Sequence, residues 1–263
     1  MTGPLITLVL PYFNEADFIA ETLDSLARQA DRRFALVLVD NASTDGSAAI
    51  AREGCTAMAD IGVTFLHEAQ PGKLFALRRG LAEAGTPYVA TLDADTLYPP
   101  DYVARTLASF VSGQDVVAVM ALGMAPAGPD AGFRRQQVFA RLMPQKCHTG
   151  GYGQAFDRLA LEQAGGFDPA RWPYVLEDHE IVHRIGKLGR VIYPAGHACV
   201  TSDRRSDRSG CSWNAGERLL YKLLPGVLMD WFFYRFLGPQ FEQRGLNNLR
   251  LREQRWQADQ ASS

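Results

Sequence analysis

The sequence predicts an α/β fold with a mostly parallel sheet flanked by helices. In the first 121 residues, five short apolar runs alternate with helix-patterned segments of ten to fifteen residues, which is the signature of βαβ units. The first run is apolar at nearly every position, as strands buried on both faces are. Polar residues gather immediately after several of these runs.

The elements follow in order. Leu5–Leu10 reads as a strand ended by Pro11, and Ala16–Ala30 as a helix with Phe18, Ile19, Leu23 and Leu26 at helical spacing. Phe34–Val39 is a second strand, followed by a helix over Ser43–Glu53 begun by Ser and Asp caps. Val63–Leu66 is a third, and Lys73–Ala84 carries Leu74, Leu77 and Leu81 on one helical face. Tyr88–Leu92, a helix over Pro100–Phe110 and a strand over Val116–Ala121 complete the first half. Gly123–Gly132, rich in Gly, Pro and Ala, reads as a connection into a mixed half. That half holds helices near Asp157–Ala164 and Asp178–Leu188, a strand at Val191–Tyr193, and a helical region from about Trp213. No linker is long enough for independent domains. We expect one unit over 1–210, divided at 122/123, and a C-terminal helical extension over 211–263.

Composition narrows the function. The 263 residues are 47% apolar, with 27 basic against 29 acidic side chains, which excludes disorder and gives no support for a nucleic-acid partner. Charge is uneven: residues 201–263 carry +3 and residues 1–200 carry −5. A basic C-terminal third suits phosphates or an anionic membrane surface, although a solvated face explains it equally. Leu219–Gly238 is the most apolar late stretch, but Lys222, Pro225, Asp230 and Arg235 interrupt it. It suits a buried or subunit-contact helix better than a bilayer span, and an interfacial position stays open. The N-terminal apolar stretch lacks a basic flank and is one strand long, unlike a signal peptide. Four scattered cysteines form neither a zinc pattern nor a disulfide framework, so reduced thiols and a cytoplasmic setting are expected, with peripheral contact at the inner membrane face left open.

In an open parallel sheet, ligands collect beyond the carboxyl ends of the strands. Pro11-Tyr12-Phe13-Asn14-Glu15 follows the first strand, Asp40 to Ser47 the second, and Asp93-Ala94-Asp95-Thr96 the fourth. Three acidic loops on one rim repel one another unless a cation or hydrogen-bond donors compensate. If Leu92–Asp95 stays extended, Asp93 and Asp95 point in opposite directions.

These residues resemble the nucleotide-sugar-dependent glycosyltransferases of family 2, which have the GT-A fold. The resemblance spans about the first 210 residues. It rests on P-Y-F-N-E, V-D-N-A-S-T-D-G-S, P-G-K-x-x-A-x-x-x-G (Pro71–Gly80), L-D-A-D-T, G-G-Y-G-x-A-F (Gly150–Phe156), G-G-F-D (Gly165–Asp168) and E-D-H-E-I-x-x-R (Glu177–Arg184).

The resemblance implies a metal-dependent inverting transferase that moves one sugar from a nucleoside-diphosphate sugar to an acceptor hydroxyl. UDP-sugars are the family's commonest donors. It assigns Pro11, Phe13, Glu15, Asp40, Ser43, Lys73 and Asp93 to the nucleotide, and Asp95, with Asp93, to Mg²⁺ or Mn²⁺. An all-oxygen donor set suits those ions. His197 is an extra candidate ligand, and Arg204 and Arg205 face the diphosphate in some relatives. Asp178 is the implied base, with Glu177 positioning base or acceptor, and Gly150 and Gly151 are close-approach positions on the acceptor and sugar side. Blander roles compete for several of these: Ser43 as a helix cap, His197 as a core residue, Arg204 and Arg205 on a solvated loop. The acceptor, small-molecule or lipid-linked, the oligomeric state and any membrane contact through 211–263 stay open.

Processive synthases of this family carry Q-x-x-R-W and several membrane helices. Here Gln254-Arg255-Trp256 has Gln and Arg adjacent, which points to single addition. A DxD phosphatase fits worse, since it needs Thr or Val where Leu97 stands and a nucleophilic Asp where the chain has Pro11. A non-catalytic nucleotide-sugar binder of the same fold is the remaining alternative.

Overall fold

The computed structural model describes residues 3–147, 150–202 and 212–249. Its centre is β1 (Ile6–Tyr12), all seven residues of which are buried. Alternate side chains feed opposite faces: Ile6, Leu8, Leu10 and Tyr12 join one core cluster and Val9 the other. The strand runs past its expected end at Pro11. In β1, the Val9 carbonyl accepts from Leu92 on one side and the Tyr12 carbonyl from Asn41 on the other. Pro11 therefore belongs to the set facing β4 (Tyr88–Thr91), beyond that strand's last paired residue, and its missing N–H interrupts no ladder.

The remaining elements are α1 (Ile19–Ala27), β2 (Phe34–Asp40), α2 (Ser47–Gly54), β3 (Val63–His67), α3 (Lys73–Leu81), β5 (Thr96–Leu97), α4 (Tyr102–Ser112), β6 (Val116–Met120), β7 (Leu122–Met124), α5 (Ala131–Leu142), β8 (Gln154–Asp157), α6 (Arg158–Gln163), α7 (Glu177–Ile185), β9 (Arg190–Ile192), β10 (Ala198–Thr201), α8 (Ala215–Leu223) and α9 (Gly238–Gln243). The seven-stranded sheet has the order β3-β2-β1-β4-β8-β6-β9, and only β8 is antiparallel to its neighbours. A small second sheet runs β5-β10-β7. One core cluster gathers α1, α2 and α4 on one face; the other gathers α3, α6 and α7. A third, aromatic cluster joins Trp172 and Val175 to Tyr221, Phe232, Phe233, Leu237 and Phe241, so the C-terminal segment packs on the loop that precedes α7.

Two expectations change. The helix expected from Ser43 begins at Ser47: Ser43 Oγ and Asp45 Oδ2 accept from the Asn14 and Ala16 N–H groups of the preceding loop, while Asp45 Oδ1 accepts from the Ser47 N–H at the helix start. Gly123–Gly132 is not only a connection. Its start belongs to β7 and its end opens α5, whose half-exposed surface gives little hydrophobic periodicity to read.

Candidate active site

The strand order reverses between β1 and β4: the chain moves outward through β2 and β3, then returns to the other side of β1. That switch point opens a crevice at the carboxyl ends of the strands. Two loops are tied along its rim. Asn14, in the left-handed region at φ 51°, donates its N–H to Ser43 Oγ (3.2 Å) and accepts from the Thr44 N–H (2.8 Å). The Glu15 N–H donates to Ser47 Oγ (2.7 Å), and Asp40 Oδ1 accepts from the Ser43 N–H (2.9 Å). Pro11 and Glu15 are buried here, while Phe13 and Asp40 are half-buried.

Asn41 organises the next loop. Its amide donates to the carbonyls of Glu68 (2.9 Å) and Gln70 (2.8 Å), and its Oδ1 accepts from the Gly72 N–H (2.9 Å). Gly72, at φ 126°, makes the turn that a side chain would strain, and Lys73 then opens α3. Lys73 Nζ reaches Asp93 Oδ1 at 2.5 Å.

The Asp93–Asp95 segment is not extended as expected; it turns at Ala94 and Asp95 before β5. The backbone N–H of Asp93 donates to Tyr98 Oη (2.9 Å). Ser202 donates from Oγ to Asp95 Oδ2 (3.0 Å) and from its N–H to the Asp95 carbonyl (3.2 Å). Both carboxylates are nearly sealed, at 4% and 7% exposure; Lys73 Nζ meets Asp93 and Ser202 Oγ meets Asp95. This donor chemistry fits a hard divalent ion that completes its shell with phosphate and water oxygens. Among the described residues, no three or more His, Cys, Asp or Glu side chains gather as a metal site by themselves.

Opposite stands the start of α7. Leu176, at φ 65°, turns the chain so that Glu177 and Asp178 enter the first helical turn. There the helix dipole favours an ionised carboxylate. Asp178 Oδ1 lies 3.0 Å from His179 Nδ1, and Gln154 Nε2 of β8 donates to the Asp178 carbonyl (3.3 Å). Gly151 marks where the two sides meet: a Cβ there would lie 2.9 Å from Lys73 Nζ and 3.9 Å from Asp178 Cβ. Burial raises the pKa of Glu177, and the charges of Asp178 and Asp93 add to that while Lys73 opposes it. The four ionisable groups share one field, with Lys73 and Asp93 on one side acting on the Glu177–Asp178 helix start on the other.

The glycosyl transferase family 2 model matches residues 7–165. The chain belongs to glycosyl transferase family 2. Family 2 relatives include the succinoglycan biosynthesis protein ExoA of Rhizobium meliloti, 30% identical over 212 residues that make up 73% of this chain and 61% of ExoA. The undecaprenyl-phosphate 4-deoxy-4-formamido-L-arabinose transferase of Proteus mirabilis is 29% identical over 43% of this chain and 35% of its own length. The alignments thus span less than two thirds of these relatives. Among solved structures, the mannosyltransferase PcManGT from Pyrobaculum calidifontis in complex with GDP-Man and Mn²⁺ superposes with a TM-score of 0.66 at 24% identity, covering 100% of this chain and 74% of that one. S. aureus TarS in complex with UDP-GlcNAc gives 0.62 at 16% identity, over 97% and 78%. The fold is GT-A.

Among the residues of the family 2 pattern, His197 meets surroundings other than a metal site. His197 lies at the far end of β10 from Ser202, five residues and roughly 16 Å along an extended strand from the Asp95 turn. Its ring stacks on Tyr102 (5.0 Å) and its Nε2 meets Thr106 Oγ1 (3.2 Å), so it packs on α4 and does not join Asp93 and Asp95. Gly165 and Gly166 close the end of α6, where the Arg184 guanidinium binds the carbonyls of Ala164 and Gly166. Arg184 also pairs bidentately with Glu180 (2.7 Å twice), which makes the end of the E-D-H-E-I-x-x-R motif a brace for α7. Gly150 turns at φ 105° beside Tyr152. Arg204, Arg205 and Gln254–Trp256 lie outside the described residues. Sequence reasoning missed Asn41, Gln154, His179 and Ser202. Of these, only Asn41 and His179 carried a signal, each adjoining a residue already singled out.

Proposed function

We propose that the chain transfers one sugar from a nucleoside-diphosphate sugar, with a uridine donor first in line, to an acceptor hydroxyl with inversion at the anomeric carbon. The observation that carries this reading is the apposition across Gly151 of the Lys73–Asp93 pair and the Glu177–Asp178 helix start. A cationic side chain beside two sealed carboxylates suits a diphosphate, and a carboxylate on the opposite wall suits a proton acceptor.

In this reading the loop at Pro11–Glu15, with Phe13, Asp40 and Ser43, holds the nucleoside. Asp93 takes the ribose or a coordinated water, and Lys73 faces the phosphates. Asp95, fixed by Ser202, holds Mg²⁺ or Mn²⁺. The cation would supply charge neutralisation on the departing diphosphate. Asp178 accepts the acceptor's proton, and His179 on its Oδ1 fixes the direction of that carboxylate. Glu177 positions base or acceptor. Attack from the α7 side against a leaving group held on the β4 side gives displacement from the opposite face, hence inversion. Arg204 and Arg205 remain assigned to the diphosphate by resemblance.

The test is a thermal-shift screen of nucleoside diphosphates and nucleotide sugars with and without Mn²⁺, followed by NMR of the anomeric product. Mn²⁺-dependent stabilisation that Asp95→Ala removes, with transfer lost and donor binding kept in Asp178→Asn, supports the assignment. Metal-independent binding, or retention of configuration, refutes it.

A further inference from the structure

We infer that α5, α8 and the Gly226–Trp231 segment form a surface that docks the chain on an anionic lipid bilayer, with the acceptor side of the site turned toward the membrane. This rests on the proposed function only for the word acceptor; the surface itself stands on its own observations.

The helix α8 is two-sided. Glu217 and Tyr221, one turn apart, face inward and are buried. Leu219 and Leu223, also one turn apart, face outward at 58% and 72% exposure. Beyond the helix, Val227 stands 88% exposed, with Leu228 and Trp231 also exposed. The end of α5 adjoins this ridge: Lys146 Nζ donates to the carbonyls of Lys222 and Leu224, and Lys222 Nζ lies over the Phe139 ring. Exposed Val138, Leu142 and Met143 therefore lie beside the same seam. So many large apolar side chains on one side of a monomer mark an interaction surface.

Charge selects the occupant. Residues 131–147 hold four Lys or Arg and no Asp or Glu. Residues 212–237 add Arg218, Lys222 and Arg235 against Glu217 and Asp230. Both acids are already engaged, Glu217 by Arg244 and Asp230 by Lys187 and His183. Exposed Leu, Val and Trp within an unneutralised basic field are the two components of interfacial binding to anionic lipid. A second protein surface would need a partner with matching acids.

The position of the surface gives it a role. The inner face of the same segment reaches the residue beside the proposed base: Trp213 stands edge-on to His179 at 4.8 Å between ring centroids, and the Tyr221 ring lies 6.0 Å from His179. A helix resting on lipid by Leu219 and Leu223 would hold the Asp178 side of the crevice near the bilayer, where an amphiphilic acceptor carries its polar group.

The experiment is sedimentation of the full chain with vesicles of phosphatidylcholine alone, and of phosphatidylcholine with about one third phosphatidylglycerol. We expect binding to the anionic vesicles, weakened by salt at about 0.5 M. The double variant Leu223→Asp/Val227→Asp should bind about tenfold or more weakly. Both positions are exposed, so its melting temperature should match the wild type. Equal binding by the double variant, or no binding to either vesicle, overturns the inference. A concentration-dependent dimer that the double variant abolishes, without lipid binding, overturns it in favour of contact between copies. Asp178→Asn should bind vesicles like the wild type. Failure of the wild-type chain to transfer any sugar, together with intact vesicle binding, would strike the proposed function alone.

Discussion

Ser202 holds Asp95 at two points, donating from Oγ to its carboxylate and from its backbone N–H to its carbonyl. A residue at the end of β10 thereby fixes the orientation of a carboxylate that follows β4. Side chains that orient a metal-binding carboxylate typically contribute 10–100-fold in metal affinity. Ser202→Ala should weaken Mn²⁺ binding by about tenfold while leaving the melting temperature within a few degrees, read by titration of Mn²⁺ in the presence of a nucleoside diphosphate. Unchanged affinity would remove Asp95 from the metal assignment.

Lys73 and Asp93 form the charge pair at the centre of the crevice. Asp93 is sealed and the Lys73 side chain is 24% exposed, so removing the ammonium leaves a buried carboxylate without that countercharge. Lys73→Met should cost about 2 kcal/mol of stability, discounted for the solvent that reaches the lysine. Adding Asp93→Asn should recover part of that loss. Denaturant melts of the four chains in the double-mutant cycle measure the coupling, and simple additivity would count against the pair.

Gly151 is a tight point whose nearest neighbour is the end of a flexible side chain. In Gly151→Ala, Lys73 Nζ must swing away while the backbone stays in place. The fold should persist with a small change in melting temperature. Transfer should fall about 10²-fold, since displacements of about an ångström at a reacting centre have that effect. Full activity in this variant would place the reacting groups elsewhere.

The parallel half was legible because its inner strands are buried on both faces and its helices on one, and these patterns are local. The β1 run, the Leu74–Leu77–Leu81 face and the polar loops after β1, β2 and β4 are all readable from neighbouring residues. The small sheet β5-β10-β7 was not, because two- to four-residue strands leave no period and their pairing joins residues 76 to 105 positions apart. The same distance hid Ser202 from Asp95. Glu180 and Arg184 belong to a family motif, and their partners are each other, the Tyr234 hydroxyl and the Ala164 and Gly166 carbonyls, contacts that no spacing reveals.

His197 now carries a prediction of a different kind. Burial against α4 pushes its pKa down from 6.5 to about 4. The unfolded chain takes up a proton near pH 6.5 and the native chain does not until about pH 4. The stability this neutral histidine contributes is therefore complete above pH 6.5 and is lost progressively as pH falls toward 4. The full span is roughly 3 kcal/mol. His197→Gln should flatten the stability profile between pH 4 and 6.5, measured by urea melts, without altering Mn²⁺ affinity; a loss of that affinity would return His197 to the metal.

Glu177 responds to pH with the opposite sign. Burial and the adjacent Asp178 raise its pKa above the ordinary 4.5, so over the window above 4.5 the native chain holds a proton that the unfolded chain has released. Stability conferred below that window declines as pH rises through it, and charging Glu177 destabilises the native state. Glu177→Gln removes the charge and keeps the shape. Its melting temperature should exceed that of the wild type at pH 7.5, and the difference should close by pH 4.5. A variant that melts lower than the wild type at pH 7.5 would mean that Lys73 outweighs Asp178 in the field at this position, and that Glu177 stands ionised as a counterion to Lys73.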